Sequence, residues 1–407
     1  MQSQFQCQNK QTLFTTKNLQ QLLKVFLYVY HKAMGKLFLP CKKSTLLKKI
    51  IVSVTNDLAT DQRVAKICDS LQALDYEIVL VGRKLHNSPP LYRSYRTIRM
   101  QLIFNNGFLF YAEYAIRLFL LLLFSKKDIL LANDLDTLLP NYLISVLQRK
   151  KIVYDSHELF TEIPELIDRP FTRKTWGRLE QWIVPKLQNT YTVCQSIATT
   201  YNQAYNTSFK VVRNLPVQKK TNPGSLGIDS AGKKIILYQG AINMGRGLEY
   251  FIDCMQYLDD FIFVLVGSGD ILSQLQTRVA EGGLEQKVFF LGKKLPEALF
   301  KITPLADIGI SAEEDLGLNY RFALPNKIFD YIQAEVPILV SNLPEMKQIV
   351  LQHKVGELIK ETQPKKLAAQ IQEMVHVDFS EALNSAKKTL TWEGEKEQLA
   401  LVFNNLR

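Results

Sequence analysis

Four residues that could bind an anion follow directly after a buried apolar strand. Gly240, Gly245, Arg246 and Gly247 come after the strand predicted over residues 235–238. Glycines let the backbone approach a ligand closely, and the next helix would direct its partially positive amino end at the same point. A guanidinium can bind two phosphate oxygens at once. The pattern indicates a diphosphate site, although an ordinary tight strand–helix turn would use glycines in the same way.

A second cation, Lys327, lies where a helix is predicted to begin. Pro325 suits the first turn of a helix, so Lys327 falls in that turn, where the helix dipole disfavours a cation. An anionic ligand would resolve this conflict, whereas the usual fate of a single lysine is solvation. Asp330, three residues further on, could bind the hydroxyl pair of a ribose or cap its own helix.

Three weaker candidates also follow predicted strands. Gly267 and Gly269 end a buried strand in a turn that often borders a ligand crevice but is common in any α/β fold. His157 stands between Asp155 and Glu158 at the carboxyl end of a short apolar strand, the position that faces the crevice of a doubly wound sheet. A structural role for this histidine competes evenly with a functional one.

Polar side chains that could hold an acceptor hydroxyl follow the neighbouring strands. They are Asn56, Asp57, Asp134 and Asp136. Acidic residues commonly cap helices in such loops, so a structural role competes with binding at each position. No histidine or cysteine cluster has metal-ligand spacing, so a metal site is not expected.

Strand and helix patterns alternate in the order that a parallel sheet requires. An apolar strand opens at Lys49, a helix follows with a buried stripe that includes Val64 and Ile67, and a second strand covers residues 77–82. This βαβ unit implies a parallel sheet with right-handed crossovers. The same alternation returns over residues 234–341.

The length of 407 residues is too great for one ordinary core and suits two α/β domains. A polar stretch rich in glycine, proline and serine separates the two halves and marks a linker. We therefore predict an amino-terminal extension over residues 1–48, a Rossmann-like domain over 49–216, a linker over 217–232, a second Rossmann-like domain over 233–385 and a terminal helix over 386–407.

Residues 108–124 form an almost wholly apolar stretch. Glu113 and Arg117 alone interrupt it, and their spacing of four would let them pair on one helix face. The stretch is shorter than the roughly 20 apolar residues of a bilayer span, and it contains two charges. We interpret it as a helix of the first domain, with a face that could dip into lipid, rather than as a transmembrane anchor.

Basic residues are in excess and concentrated near the amino terminus. The chain has 50 Lys and Arg against 39 Asp and Glu, a net charge of +11, which favours an anionic partner. The first 50 residues contain no acid. From Leu19 apolar residues repeat at helical spacing with lysines between them, which suits a basic amphipathic helix lying on an anionic bilayer, or equally one docked on the protein itself.

Cysteine usage favours a reducing compartment. The five cysteines are odd in number and widely spaced, and the sequence shows no secretory signal. A cytoplasmic location, peripheral on the inner face of the plasma membrane, fits both these cysteines and the basic amino-terminal pattern.

Several short motifs together resemble the group 1 (family 4) glycosyltransferases, over residues 49–385. The resemblance implies the GT-B fold, in which two Rossmann-like domains with parallel sheets face each other. The motifs are Tyr238-Gln-Gly followed by Gly245-Arg-Gly-Leu, Val266-Gly-Ser-Gly, Phe290-Leu-Gly, Leu305-Ala-Asp-Ile-Gly-Ile, and Leu324-Pro-Asn-Lys-Ile-Phe-Asp-Tyr-Ile followed by Val336-Pro-Ile-Leu-Val-Ser.

The family resemblance implies a nucleotide-diphosphate sugar, UDP- or GDP-linked, as donor, with no cofactor and no metal. Transfer would retain the anomeric configuration, with the donor held mainly by the second domain and the acceptor mainly by the first. Arg246 and Lys327 would hold the diphosphate, Asp330 the ribose, and His157 would contact the donor sugar. The remaining donor contacts would come from the glycines at 240, 245, 247, 267 and 269, from the backbone near Gly292 and Lys293 for the base, and from Leu324, Pro325 and Asn326.

The chain departs from the family pattern at three places. The two glutamates that the family has eight positions apart correspond here to Phe322 and Asp330, so the first acid is missing. Glu313 or Glu314 in the preceding loop could substitute for it. The other departures are Glu335, where a glycine is usual, and Asn56-Asp57, which replaces a glycine-rich loop.

The combined signals favour an enzyme that transfers sugar to a glycan or lipid-linked acceptor, in the synthesis of cell-surface polysaccharide or lipopolysaccharide. The alternatives are a nucleotide-sugar epimerase of the same fold and a non-catalytic, membrane-associated scaffold. A nicotinamide dehydrogenase is disfavoured because neither domain has Gly-x-Gly-x-x-Gly after its first strand. Nucleic-acid binding has only the net charge in its favour.

Overall fold

The computed structural model describes residues 47–163, 166, 169–218 and 223–406. Lys48–Arg407 forms one compact unit. The extension predicted over residues 1–48, including the amphipathic helix from Leu19, lies outside the described residues apart from its last two.

A parallel sheet of seven strands forms the first domain. Its order, β3-β2-β1-β4-β5-β6-β7, places the first strand of the chain in the middle. Helices cover both faces of the sheet, which explains why its central strands are near-continuous apolar runs. The strands are β1 Lys49–Asp57, β2 Glu77–Arg83, β3 Arg96–Met100, β4 Ile129–Asn133, β5 Lys151–Ser156, β6 Asn189–Thr192 and β7 Lys210–Val211.

The helices of the first domain lie on opposite faces of this sheet. One helix buries Val64 and Ile67 in a core cluster on one face. A second buries Tyr114 and Leu118 on the other face. In order the helices are α1 Gln62–Ala73, α2 Gly107–Phe124, α3 Leu135–Leu147, α4 Pro170–Ile183 and α5 Gln195–Tyr205.

The helix interpreted from the apolar stretch is confirmed as α2. Glu113 and Arg117 pair on it as predicted, with 2.6 Å between Arg117 Nη2 and Glu113 Oε1. Both ends of α2 continue toward strands of the same sheet, β3 and β4.

A second parallel sheet, of six strands, forms the other domain in the order β10-β9-β8-β11-β12-β13. Its strands are β8 Lys234–Gln239, β9 Phe261–Val266, β10 Val288–Phe290, β11 Ile308–Ser311, β12 Ile338–Val340 and β13 Gly356–Leu358. Its helices are α6 Leu248–Cys254, α7 Leu272–Glu281, α8 Pro296–Ile302, α9 Leu318–Arg321, α10 Asn326–Gln333, α11 Pro344–His353, α12 Pro364–Met374 and α13 Ser380–Thr389.

The last helix, α14 Trp392–Phe403, packs on the first domain. Trp392, Leu399 and Phe403 join the core cluster of β1 and α1. The chain therefore returns to its first domain after completing the second.

Two parallel sheets covered by helices confirm the predicted fold class. The sheet registers explain how the site is assembled. Tyr238 in β8 pairs with Leu265 in β9, and Leu237 pairs with Gly309 in β11. The loops that follow these three strands therefore leave the sheet side by side.

Candidate functional site

A cleft with a volume of about 1580 Å³ lies between the two domains. Asn56 and His157 line it from the first domain, and Arg246, Lys327 and Asp330 line it from the second. Asn56, His157 and Arg246 lie at or after the carboxyl ends of parallel strands, where open α/β sheets bind their ligands.

Arg246 and Lys327 converge on one carboxylate oxygen. Arg246 Nη1 lies 3.3 Å from Glu313 Oε1, and Lys327 Nζ lies 3.0 Å from the same atom. Glu313 follows β11 and its side chain is fully buried, whereas 26% of the Arg246 side chain and 10% of the Lys327 side chain are exposed. The two cations are thus neighbours at the edge of the cleft.

The surroundings of Glu313 stabilise its charge. Burial alone would raise the pKa of this carboxyl, but Lys327, the Ser311 hydroxyl and Arg246 together hold its pKa below the ordinary value. The Ser311 hydroxyl donates to Oε2 at 2.7 Å. Glu313 therefore remains an anion between the two cations.

Aromatic rings orient both cations. The Lys327 ammonium lies 4.1 Å from the centre of the Tyr238 ring, and the Arg246 guanidinium lies 5.3 Å from that of Tyr320. Such cation–π contacts contribute on the order of 1 kcal/mol each and limit the rotamers that the side chains adopt.

Gly240 lies beside Lys327 and has a backbone conformation that favours glycine. Its φ of 141° is one that residues with a side chain rarely adopt, and a Cβ there would lie 3.4 Å from Lys327 Cε. Gly245 joins the arginine loop to the loop after β11, because its carbonyl accepts from the Glu314 amide at 2.9 Å. Gly247 precedes α6 as its N-cap.

Gly267 and Gly269 support this loop from behind. A Cβ on either one would collide with the carbonyl group of Gly240 or Ile242. The Gly240 amide also donates to the Val266 carbonyl at 3.0 Å. The structure therefore places these two glycines against the backbone of the loop that carries Gly240.

Asp330 lies deep in the cleft. Its Oδ2 accepts from Gln239 Nε2 at 3.2 Å. Burial raises the pKa of Asp330 to about 6, against the opposing effects of Lys66 and the Gln239 bond. This carboxyl also lines a smaller cavity of about 110 Å³ with Phe300.

The other predicted donor contacts form two groups, residues 324–326 beside Lys327 and the pair Gly292 and Lys293. Leu324, Pro325 and Asn326 line the cleft beside Lys327. Gly292 has left-handed backbone with a φ of 66°, and Lys293 after it is exposed. Neither Gly292 nor Lys293 lines the cleft, whose wall on this side is formed by Leu295, Pro296, Glu297 and Phe300.

His157 is held between two carboxylates. Its Nδ1 lies 2.9 Å from Asp134 Oδ2, and its Nε2 lies 3.0 Å from Asp155 Oδ2. Burial would lower the pKa of His157, but Asp134 and Asp155 raise it well above its ordinary value. Arg63 also binds Asp155, with Nη2 at 2.9 Å from Oδ1, so four charged groups of alternating sign lie in a row.

The four predicted acceptor contacts differ in their exposure to the cleft. Asn56 lines it. Asp57 instead pairs with Arg99, whose Nη2 lies 3.1 Å from Oδ1. Asp134 binds His157, and Asp136 accepts from the Thr55 hydroxyl at 2.5 Å, behind the row of charges.

Asn319 joins the two domains next to His157. Its Nδ2 donates to Glu158 Oε2 at 3.1 Å, and its Oδ1 accepts from the Leu159 amide at 3.2 Å. Ser196, in the first turn of α5, donates its amide to Glu345 Oε1 of the second domain at 2.7 Å. The Asn319 bonds connect the second domain to the loop that carries His157, and the Ser196 bond connects it to α5.

Sequence reasoning missed Arg63 and Asn319 and raised Glu313 only as a substitute acid. Glu313 had a visible signal, since it directly follows a buried apolar strand at the edge where Arg246 was placed. Arg63 had no such signal in the sequence, because an arginine in the first turn of a helix is normally interpreted as a solvated residue. Over the described residues, no group of three or more His, Cys, Asp or Glu side chains could hold a metal ion.

Comparison with known proteins links the second domain to a sequence family. The family model for "Glycosyl transferases group 1" matches residues 233–376. An uncharacterised glycosyltransferase of Methanocaldococcus jannaschii is 28% identical over 149 residues, which are 35% of this chain and 36% of the relative. The match thus spans about a third of that relative's length.

Solved structures resemble the chain over nearly its whole described length. Sucrose-phosphate synthase from Thermosynechococcus elongatus has a TM-score of 0.68 at 16% identity, covering 88% of this chain and 99% of its own. A glycosyltransferase from Rickettsia africae has a TM-score of 0.66 at 13% identity, covering 88% of this chain and 98% of its own. Anabaena HepE in complex with UDP-glucose has a TM-score of 0.66 at 15% identity, covering 88% of this chain and 99% of its own.

At these identities the structural likeness establishes the fold, and the sequence match establishes the family of the second domain. Residues 233–376 therefore belong to the group 1 glycosyltransferases, in a chain that has the GT-B fold.

Proposed function

We propose that the protein transfers a sugar from a nucleotide-diphosphate sugar to a hydroxyl of a glycan or lipid-linked acceptor. The observation that carries this proposal is the convergence of Arg246 and Lys327 at the edge of the interdomain cleft. Two adjacent cations match the two charged phosphates of such a donor. The match of the second domain to group 1 glycosyltransferases supports the same reaction class.

Departure of the diphosphate is the step that these cations would promote. As the bond to the sugar breaks, positive charge develops at the sugar and negative charge on the leaving phosphate. Preorganised cations stabilise that negative charge, and removal of one such contact typically slows a reaction by about 10² to 10³. No nucleophile of the protein is required for this chemistry.

The rest of the donor would extend from the two cations into the second domain. We assign the ribose to Asp330, the base to backbone near Gly292 and Lys293, and further donor contacts to residues 324–326 and the glycine loops. The UDP-glucose complex of HepE supports a UDP-linked donor, and a GDP-linked one is the alternative. A nucleotide in this orientation would point its sugar toward the first domain.

The acceptor would bind on the first domain. We assign Asn56, Asp57, Asp134 and Asp136 to this side and His157 to the donor sugar at the junction. Glu313, buried between the cations, is the acid that we propose in place of the family's missing first glutamate. From the family resemblance we further propose that transfer retains the anomeric configuration and needs no metal. We also propose a role in cell-surface polysaccharide or lipopolysaccharide synthesis at the cytoplasmic face of the membrane.

A turnover screen tests the proposal. The full chain is incubated with UDP-, GDP- and dTDP-sugars, with and without glycan or lipid-linked acceptors, and release of nucleoside diphosphate is measured. Arg246→Gln and Lys327→Gln should each lower kcat by about 10² to 10³. Glutamine keeps an N–H donor for Glu313, so the buried carboxylate is not left without a partner.

The matched control is Arg278→Gln. Arg278 also belongs to the second domain and also pairs with a carboxylate, Asp253 at 2.6 Å, but 45% of its side chain is exposed and it does not line the cleft. We expect this variant to turn over at the wild-type rate. Full activity in both cleft variants would refute the proposed site.

A further inference from the structure

The outer side of α2 is apolar and includes exposed side chains. The helix has 18 residues and a mean hydropathy of 1.7, which are values that a membrane-spanning helix could have. Only 22% of the helix is buried inside the protein. Its buried stripe, which includes Tyr114, Leu118 and Leu122, packs on the sheet. Because both ends of α2 lead to strands of that sheet, the helix lies along the domain and does not cross a bilayer.

The exposed apolar surface continues onto α3 and α4. We define the apolar face as Ile116 and Phe124 of α2, Leu143, Val146 and Leu147 of α3, and Trp182 of α4, each at least 39% exposed. The rings of Tyr142 in α3 and Trp182 in α4 lie 5.6 Å apart. The three helices therefore present one surface.

The carboxyl ends of α2 and α3 are fastened together. Lys127 Nζ donates to Gln148 Oε1 at 2.6 Å and to the Ser125 carbonyl at 3.0 Å. Gln148 Nε2 donates to the Leu123 carbonyl at 2.8 Å. Phe124 and Leu147, the last residues of the two helices, are thereby fixed at the same end of the apolar face.

The exposed charges around the apolar face are predominantly basic. All residues of α2, α3 and α4 are described, and none of the exposed ones is acidic. Exposed Lys174 and Arg178 lie on α4, and exposed Lys126 and Arg149 follow α2 and α3. Asp128, which also follows α2, is an exposed acid whose carboxylate accepts from the Lys49 amide. The Lys186 ammonium lies 4.9 Å from the centre of the Trp182 ring.

We propose that the apolar face docks on the surface of an anionic lipid bilayer. Apolar side chains would enter the boundary between headgroups and acyl chains, while the surrounding cations would meet lipid phosphates. Tryptophan with lysine beside it is typical of residues at this depth.

The charges disfavour the two other occupants. A second copy of this chain, docked symmetrically, would bring the same cations opposite each other. Residues 1–46 contain lysines and no acid, so this segment is positively charged, like the residues around the apolar face. An anionic bilayer is the occupant whose charge complements the face.

Vesicle binding tests this proposal without donor or acceptor, so its outcome is independent of the sugar transfer proposed above. The full chain is sedimented with phosphatidylcholine vesicles that contain or lack phosphatidylglycerol. Leu147→Glu replaces a side chain that is 63% exposed, and Val146→Glu, at 61%, is a second variant for the case that the first does not fold. Each should weaken binding to anionic vesicles by on the order of tenfold.

The control is Leu351→Glu in the second domain, because Leu351 is 61% exposed and the change of residue type is the same. This variant should bind anionic vesicles as the wild type does. Equal binding by the wild type, both face variants and the control would overturn the proposal. It would also be overturned if the face variants split a dimer in solution and left vesicle binding unchanged.

Discussion

Glu313 determines how the two cations are arranged before a donor binds. Arg246 and Lys327 would repel each other without it, since both reach toward the same point. A buried carboxylate between them supplies the opposing charge and fixes the positions of both side chains. The residue therefore acts as an internal anion at the proposed diphosphate site.

Glu313→Gln should destabilise the ligand-free protein and increase its response to nucleotide. Removing one partner of a buried ionic group typically costs about 3–5 kcal/mol, because the remaining charges lose their counterion. A bound nucleoside diphosphate would replace the missing charge. We therefore expect a lower Tm for the free variant and a larger rise in Tm on adding the diphosphate than in the wild type.

Glu314→Gln is the control for this measurement, as it removes a carboxylate from the adjacent position without touching either cation. Its Tm response to nucleotide should match that of the wild type. An equal response in the Glu313 variant would show that Glu313 does not share the cations with a ligand.

Asp136 should make stability depend on pH. Burial, and next the neighbouring Asp134, raise the pKa of Asp136 to about 7. Its Oδ1 is buried without a hydrogen-bond partner among the described residues. The folded state therefore holds a proton that the unfolded chain, with a pKa near 4, releases. Protonated Asp136 therefore adds up to roughly 4 kcal/mol to the unfolding free energy. This contribution is fully present below about pH 4 and is lost as the pH rises to about 7.

Asp136→Asn removes this dependence, because asparagine has the shape of the protonated side chain and can still accept from Thr55. Urea unfolding at pH 5 and at pH 8 should show a smaller difference in unfolding free energy for the variant than for the wild type. Asp260→Asn, at an exposed position, should leave the difference unchanged. If the two variants behave alike, Asp136 is ionised in the folded protein.

The sequence could identify single residues of the site but not their partners. Arg246 and Lys327 stood out because each occupies a position with a physical reason to meet an anion. Their common contact with Glu313 depends on how the loops after β8 and β11 leave the sheet, which no local pattern encodes. The same holds for His157, whose two carboxylate contacts include Asp134 from a different loop.

At the scale of elements, α14 connects the end of the chain to its first domain. Trp392 is 1% exposed, its indole N–H donates to the Ser70 hydroxyl at 2.9 Å, and its amide donates to the Pro216 carbonyl at 2.8 Å. The helix thus contacts both α1 and the residues that lead into the second domain.

Trp392→Ala should lower the unfolding free energy by about 3–5 kcal/mol, the usual cost of removing a large buried aromatic side chain. Thermal or urea unfolding followed by circular dichroism measures the loss. Trp182→Ala is the matched control, since 47% of Trp182 is exposed, and it should cost less than about 1 kcal/mol. Similar losses in the two variants would contradict the anchoring role of α14.

Elements with strong periodicity could be predicted from the sequence, and elements without it could not. The confirmed helix α2 is an apolar run interrupted by one charge pair, and α10 begins where its proline indicated. The edge strand β3 escaped prediction because Arg96–Met100 is only five residues long and contains two arginines and a threonine. The helix α4 also escaped prediction, and Glu180 and Ile183 are its buried residues.

At the scale of the molecule, the resemblance of the motifs was sufficient to predict two facing domains. The order of βαβ units determines each sheet, since crossovers between parallel strands are almost always right-handed. The contacts between the domains, such as Asn319 with Glu158, required the structure. They decide which residues of the two domains lie on one cleft.

The central claim is that Arg246 and Lys327 together bind a diphosphate. Calorimetric titration with the diphosphate and the monophosphate of one nucleoside, taken from the base that the turnover screen selects, tests it most directly. The wild type should bind the diphosphate at least about tenfold more tightly, given the strength of charge-assisted hydrogen bonds. The double variant Arg246→Gln/Lys327→Gln should bind both nucleotides equally, and a preference for the diphosphate that survives in it would contradict the claim.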